Sequence, residues 1–201
     1  FNFLSKQRQI TLPNPNLPGD HQLLNAATVI AGLSLAQDKF NFSDQHFYQG
    51  LQEAKWPARI QKVPQTSYAK ILNTGAQIWV DGAHNPHGAK VLANWIKDEL
   101  KDPVKLIIGI TKNRDVYSFL SEFAGIEAEI ATVGVLSEPF SYSAEVLSSL
   151  ANQHDIKTIP YLSLEEALTR INKDSFKGHI VITGSLFLAA DFFKLIGIKY
   201  L

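Results

Sequence analysis

Short apolar runs alternate with longer amphipathic segments from about residue 68 onward, and this alternation restricts the fold more than any other feature of the chain. Two of the runs, residues 106–108 and 180–182, contain only leucine, isoleucine and valine, which is typical of strands whose two faces are both covered by helices. The pattern predicts strands at 76–81, 104–110, 128–134, 157–159 and 179–183, and helices at 86–101, 115–124, 143–153, 163–173 and 186–196. This order predicts an α/β fold with a doubly wound, parallel sheet.

The residues before this region have a different, mostly helical pattern. Two short β-like pieces at the start are followed by three prolines, which prevent further regular structure. A helix is predicted from His21 to Ala36 with Asp20 as its N-cap, and its apolar residues are so dense that we expect it to be largely buried. A second, more amphipathic helix is predicted at 43–54.

Pro57 and Pro64 bracket a short basic segment between the two regions. A proline at each end is typical of a linker, because proline interrupts both helices and strands. We therefore predict that residues 1–56 are the end of one domain, residues 57–66 a hinge linker and residues 67–201 a second domain.

The balance of charges excludes several classes of partner. Nineteen basic residues match nineteen acidic ones among 201, so the chain has no global basic field of the kind that binds nucleic acid or an anionic membrane. Its most apolar stretch, residues 180–198, contains polar and charged residues and is not expected to span a membrane. The chain has no cysteine, which fits a reducing compartment, and we expect a cytoplasmic protein. Because it begins at Phe1 and has no methionine, we expect a fragment of a longer protein.

The segment from Asp81 to Pro86 lies at a predicted junction between a strand and a helix, where α/β proteins bind ligands. Asp81 could accept hydrogen bonds from both ribose hydroxyls of a nucleotide, and His84 could contact a phosphate or a carboxylate beside the helix N-terminus. Asn85 is expected to cap that helix, with Pro86 at its first position. The alternative is that these residues form only a turn and a cap.

Three further segments are candidates for binding. Asn25 shares a helix face with His21 and could read the edge of adenine, or both could be buried core residues. Arg59 in the predicted linker could reach a phosphate when two domains close, or could be a solvated surface charge. Ser185 could hold a carboxylate at a turn from strand to helix, or could be a plain N-cap.

Several catalytic motifs are absent from the sequence. It has no G-x-x-x-x-G-K-[ST] phosphate-binding loop, no G-x-G-x-x-G after a strand and no G-x-S-x-G elbow. Its six histidines lack the spacing of a metal site. The basic segment 109–115 does follow a predicted strand and could line the same cleft as the candidates.

The four candidate segments together resemble a known family. The order is Gly19-x-His21-Gln22-x-x-Asn25-Ala26, Trp56-Pro57-x-Arg59, Asp81-Gly82-Ala83-His84-Asn85-Pro86 and Gly184-Ser185-Leu186. It resembles the Mur ligase superfamily and, within it, folylpolyglutamate synthase/dihydrofolate synthase. The resemblance implies that the chain holds the helical tail of a central ATPase domain and a Rossmann-like, mostly parallel C-terminal domain.

Family membership implies an ATP-dependent ligase that phosphorylates a folate or pteroate carboxylate and joins the acyl phosphate to glutamate. The family's ATP contacts fall on Asn25 (adenine), Arg59 (phosphates) and Asp81 (ribose), and its glutamate contacts fall on His84 and Ser185; Arg59 and His84 would be catalytic. ATP and Mg²⁺ are the implied cofactors, with the metal ligands expected upstream of Phe1. The resemblance implies small-molecule substrates, no nucleic acid or membrane partner, and a monomer.

Two departures and two alternatives accompany this resemblance. The family usually has glycine where this chain has Ala58, and the stretch between Arg59 and Asp81 is longer than usual. A peptidoglycan-type Mur ligase is the nearest alternative, but Gln22 and Gly82 match the folate branch. A non-catalytic nucleotide-binding or protein-interaction module is the other alternative, because one fold serves many functions.

Overall fold

The computed structural model describes residues 1–6, 8–19, 21–36, 39–40 and 43–198. It divides into two units, Phe1–Pro57 and Ala58–Leu201. Each unit has its own apolar core. The predicted N-cap Asp20 lies outside the described residues.

The first unit is a small hairpin with two helices. Strands β1 (Asn2–Leu4) and β2 (Gln9–Thr11) pair antiparallel, which confirms the β-like start of the chain. Helices α1 (His21–Leu35) and α2 (Asp44–Glu53) follow. Among the described residues, the core cluster of this unit includes the buried side chains of Phe3, Leu12, Ile30 and Phe47.

The predicted burial of α1 is wrong for this structure. Gln22, Ala26 and Ile30 are the buried residues of the helix, whereas Leu24 and Leu35 are about three-quarters exposed, at 74% and 75%. A high density of apolar residues predicts that a helix has apolar surface to bury. The density of apolar residues does not predict which elements cover that surface. In the structure, the hairpin and α2 cover one face of α1.

The second unit is built on a six-stranded sheet with the order β3-β4-β8-β5-β6-β7. Its strands are β3 (Gln61–Lys62), β4 (Gln77–Val80), β5 (Val104–Ile108), β6 (Ala128–Val133), β7 (Thr158–Tyr161) and β8 (His179–Thr183). The strands β4 to β8 run parallel, and β3 pairs antiparallel with β4 at the edge. The predicted α/β class with a mostly parallel, Rossmann-like sheet is confirmed.

Helices cover both faces of this sheet. They are α3 (Gln65–Tyr68), α4 (Pro86–Glu99), α5 (Val116–Ser121), α6 (Ala144–Asn152), α7 (Leu164–Lys173) and α8 (Leu186–Leu195). The alternation along β8 shows the two layers, because Val181 packs with the core formed by α4, α5 and α6, whereas Ile180 and Ile182 pack with the core formed by α7 and α8. Both faces of β8 are therefore buried, as its unbroken apolar run predicts.

Residues 58–66, most of the predicted linker, belong to the second unit. Gln61 and Lys62 form β3, and the Val63 N–H donates to the Ile78 carbonyl oxygen at 2.9 Å. The two units divide after Pro57, so the segment is not a free linker over its predicted length. Gln61 and Lys62 are polar and give no local sequence signal for a strand. They form β3 because the neighbouring strand β4 supplies their hydrogen-bond partners.

Among the described residues, no helix has both the length and the apolar character that crossing a membrane requires.

Candidate functional site

The carboxyl ends of β4, β8 and β5 are joined by backbone hydrogen bonds. The Gly184 N–H donates to the Ala83 carbonyl oxygen at 3.0 Å, and the Gly109 N–H donates to the Thr183 carbonyl oxygen at 3.2 Å. Residues 81–86 and 183–186 are therefore adjoining turns, which we call the strand-end site. Ligands of open α/β sheets bind at this edge, where strand order reverses.

Two glycines allow these turns to approach closely. Gly184 has φ +110°, and a Cβ on it would lie 2.6 Å from the Gly109 carbonyl oxygen. A Cβ on Gly82 would lie 2.3 Å from Cδ2 of Leu186. A side chain at position 184 would push the ends of β8 and β5 apart, because it meets backbone atoms, whereas one at position 82 would displace the Leu186 side chain.

Asp81 forms the turn after β4 and is buried, with 7% of its surface exposed. Its Oδ1 accepts a hydrogen bond from the Ala83 N–H at 2.8 Å, which is the turn expected of an aspartate before glycine. Its Oδ2 accepts a second bond from the Ile60 N–H at 2.9 Å. The carboxylate thus joins the end of β4 to the segment that contains Arg59.

His84 is half-buried, and its Nδ1 lies 3.2 Å from the Gly82 carbonyl oxygen. Because a carbonyl oxygen can only accept, this contact assigns the proton to Nδ1. Nε2 of the neutral ring is then an acceptor, and Nε2 of the charged ring is a donor. Asn85 accepts from the Gly88 N–H at 2.9 Å, so the predicted N-cap of α4, with Pro86 at its first position, is confirmed.

Ser185 is the N-cap of α8. Its Oγ accepts from the Leu188 N–H at 3.0 Å, and the residue is 2% exposed. The plain cap predicted as an alternative is therefore present. The hydroxyl hydrogen takes no part in that bond, so the cap leaves the donor of Ser185 for another partner.

Arg59 lies in a short segment of unusual backbone conformation. Ala58 has φ +56° and Ile60 has φ +46°, although neither is glycine. The Ala58 carbonyl oxygen accepts from the Gly82 N–H at 2.8 Å, which fixes the segment beside the strand-end site. Arg59 itself is half-buried, and the structure shows no ion pair of its guanidinium with the described residues.

Asn25 lies in the first unit, on the exposed side of α1. Its Nδ2 donates to Oε1 of Gln22 at 3.0 Å, and Nε2 of Gln22 lies 2.9 Å from Nε2 of His21. The alternative prediction of a buried asparagine is wrong, because the residue is exposed. Gln22 thus links His21 to Asn25. From the sequence alone, Gln22 served only to favour the folate branch over peptidoglycan-type ligases.

Sequence reasoning also missed two features of the second unit. Thr183 is fully buried at the end of β8, and within the described structure its Oγ1 has no hydrogen-bond partner. The bond from the Ile60 N–H to Asp81 joins residues 21 apart, and neither residue indicates it in the sequence. The one sequence hint is that the family usually has glycine at position 58, where this chain has Ala58. The basic segment 109–115 does follow β5, and its Lys112 and Arg114 are exposed.

Comparisons with known proteins identify the family. A family model described as the C-terminal domain of dihydrofolate synthetase matches residues 64–135. A folylpolyglutamate synthase from Lacticaseibacillus casei is 31% identical over 192 residues, which are 94% of this chain and 42% of that protein. The chain belongs to the folylpolyglutamate synthase/dihydrofolate synthase family. The resemblance predicted from the four segments is confirmed, and the chain corresponds to the C-terminal portion of these proteins.

Solved structures of the family have the same fold. A bifunctional folylpolyglutamate synthase/dihydrofolate synthase from Yersinia pestis CO92 matches with a TM-score of 0.76 and 26% identity, over 98% of this chain and 44% of that one. A bifunctional enzyme of this kind with Mn, AMPPNP and L-glutamate bound matches with a TM-score of 0.77 and 27% identity, over 97% and 44% of the two chains. The chain thus spans less than half the length of the family members it matches.

The described residues contain no group of three or more histidine, aspartate or glutamate side chains that could hold a metal ion. They do not fit a divalent cation site, and we assign no metal ligand to them.

Proposed function

We propose that the chain is part of an ATP-dependent ligase that joins glutamate to dihydropteroate, to folyl-(poly)glutamate, or to both, through an acyl phosphate. The family match supports the folate and glutamate substrates. A similar enzyme was solved with AMPPNP, Mn and L-glutamate, which supports ATP and a divalent cation as cofactors. The matches reported above favour the folate branch over a peptidoglycan-type ligase.

The observation that carries the proposal is the contact between residues 81–86, the His84 turn, and residues 183–186, the Ser185 turn. The two turns share the bond from the Gly184 N–H to the Ala83 carbonyl oxygen, and each of them begins a helix of ten residues or more. Helix N-termini present unpaired N–H groups and favour negative charge. Glutamate has two carboxylates, so two adjoining helix N-termini suit its charge and size.

His84 fits a role beside the glutamate amine or carboxylate. Its Nδ1 proton is directed at the Gly82 carbonyl oxygen, which fixes the ring and leaves Nε2 for the substrate. In its neutral form Nε2 accepts a hydrogen bond from the ammonium group, and in its charged form Nε2–H donates to a carboxylate. Either interaction positions glutamate beside an acyl phosphate, and neutral Nε2 can accept the proton that the ammonium group must lose before its nitrogen attacks.

For ATP we propose the roles that the family resemblance implies. Asn25 would contact adenine, Asp81 would accept hydrogen bonds from the ribose hydroxyls, and Arg59 would contact the phosphates. A guanidinium stabilises the charge that develops on a transferring phosphoryl group. Because the chain has no phosphate-binding loop motif, we expect that the 201 residues by themselves release no ADP in response to glutamate and pteroate.

The test compares substrate dependences in an active synthase that contains this chain. Ser185→Ala and His84→Ala should raise the KM for glutamate at least tenfold and change the KM for ATP less than twofold. Ser163→Ala is the matched control, because Ser163 caps α7 through the Glu166 N–H at 3.1 Å and lies outside the strand-end site. A rise in the KM for ATP with an unchanged glutamate dependence would contradict the assignment.

The same assay decides the alternative of a non-catalytic module. If the wild-type synthase forms no glutamate adduct of a folate or pteroate substrate, while the chain still binds a nucleotide, the ligase proposal is refuted in favour of that module.

A further inference from the structure

The segment Ala58–Ile60 adopts a backbone conformation that its sequence disfavours. Ala58 and Ile60 have φ values of +56° and +46°, in the left-handed region that suits glycine. A β-branched residue such as Ile60 is a rare occupant of this region. Both side chains are nevertheless buried, at 3% and 4% exposed, while Arg59 between them is half-buried. The surrounding structure must therefore hold the segment in place.

At least three hydrogen bonds among the described residues hold it. The Ala58 N–H donates to Oε1 of Gln61 at 3.0 Å, and the Ala58 carbonyl oxygen accepts from the Gly82 N–H at 2.8 Å. The third is the bond from the Ile60 N–H to Oδ2 of Asp81 at 2.9 Å, which is buried. Both flanks of Arg59 are thus fixed to residues 81 and 82, at the end of β4.

We propose that Asp81 is a positioning residue for Arg59, because its carboxylate holds the Ala58–Ile60 segment in the conformation that presents the guanidinium. The role of Arg59 rests on the proposed function, whereas the bond between Ile60 and Asp81 does not. A bond from a backbone N–H to a buried carboxylate is charge-assisted and stronger than a neutral one. The carboxylate therefore compensates for the unfavourable backbone on both sides of Arg59.

Asp81→Asn tests this role with little change in volume. A carboxylate accepts through both oxygens, but an amide has one acceptor oxygen and one NH₂ donor. In the variant, the NH₂ group must face either the Ile60 N–H or the Ala83 N–H, and two donors do not pair. Asp174→Asn is the matched control, because Asp174 lies at the end of α7 and pairs with Arg170 on the surface.

The first experiment needs no enzymatic activity. In the labelled 201-residue chain, a scalar coupling across the hydrogen bond between the Ile60 amide nitrogen and the Asp81 carboxyl carbon should be detectable. Asp81→Asn should accelerate hydrogen exchange of the Ile60 amide at least tenfold, and Asp174→Asn should leave it unchanged. If Asp81→Asn does not fold, the coupling in the wild-type chain still shows whether the bond between Ile60 and Asp81 forms. Absence of the coupling, or unchanged exchange in a folded variant, would overturn the proposal.

The second experiment is a double-mutant cycle on kcat in an active synthase containing the chain. Asp81→Asn should lower kcat at least tenfold in the otherwise wild-type enzyme but less than threefold in the Arg59→Ala background, because Asp81 acts through Arg59. If Asp81 served only the ribose, the two effects would multiply and 2′-deoxy-ATP would reproduce the Asp81→Asn defect with the wild-type enzyme. That result overturns the proposal. A wild-type synthase without ligase activity refutes the proposed function and the catalytic part of this proposal, and the coupling still reports on the bond.

Discussion

Gly184→Ala should damage the strand-end site more than any other single methyl group that we consider. Gly184 has φ +110°, and a Cβ there would lie 2.6 Å from the carbonyl oxygen and 3.1 Å from the nitrogen of Gly109. The unfavourable φ costs about 1–3 kcal/mol, and forcing a methyl group against a packed backbone costs about 1–3 kcal/mol more. We expect the free energy of unfolding of the second unit to fall by about 4 kcal/mol, which corresponds to a decrease in Tm of about 12 °C.

Gly75→Ala separates the two contributions. Gly75 has φ +88°, but a Cβ there would meet no atom within 4 Å. Its cost is therefore the backbone term alone, about 1–2 kcal/mol. Both variants can be compared by urea unfolding of the 201-residue chain, followed by the fluorescence of Trp79 and Trp95, which are in edge contact within the second unit. If Gly184→Ala costs no more than Gly75→Ala, the close approach of β8 and β5 is not as described.

Three further predictions use the same unfolding assay. Thr183→Val should raise the free energy of unfolding by about 1 kcal/mol, because the buried hydroxyl has no partner in the described structure; a loss of stability would show that the hydroxyl is bonded. Ser185→Ala and Ser163→Ala should each lower it by about 1 kcal/mol through loss of a helix cap, and no change in either would contradict that cap. Burial lowers the pKa of His179 below 6.5, while Asp102 opposes this shift and Lys62 adds to it. The contribution of neutral His179 to the free energy of unfolding should therefore be fully present above pH 6.5 and be lost as the pH falls through the lower pKa of the folded state. His179→Gln should remove that pH dependence, and a dependence that persists would assign it to another group.

The elements that the sequence predicted well are those with a signal in their own residues. Asn85 and Pro86 indicate the start of α4, and the apolar run 180–182 indicates a central strand. Boundaries were less accurate, as for the helix predicted at 115–124 that ends at Ser121 in the structure. The β7 strand contains Pro160, which a strand tolerates at the edge of a sheet.

The parts of the site that the sequence could not predict depend on contacts between distant residues. The sequence indicated that the His84 and Ser185 turns lie at carboxyl ends of strands, but not that these two strands are neighbours. That adjacency follows from the insertion of β8 between β4 and β5, which a pattern of strands and helices does not encode. The bond between Ile60 and Asp81 depends in addition on a left-handed backbone at two residues that usually avoid it.

The position of β8 explains how one edge of the sheet can combine several functions. Because β8 lies between β4 and β5, this strand brings the Ser185 turn against the His84 turn, about a hundred residues away in sequence. Asp81, on the same strand end, is bonded to the segment that contains Arg59. A displacement of β8 would therefore alter both turns that we propose to bind glutamate, whereas Arg59 depends on β4 through Asp81 and Gly82. Substitutions at Gly184 should consequently change the glutamate dependence more than the ATP dependence, and substitutions at Asp81 should do the reverse, although the two residues belong to adjoining turns.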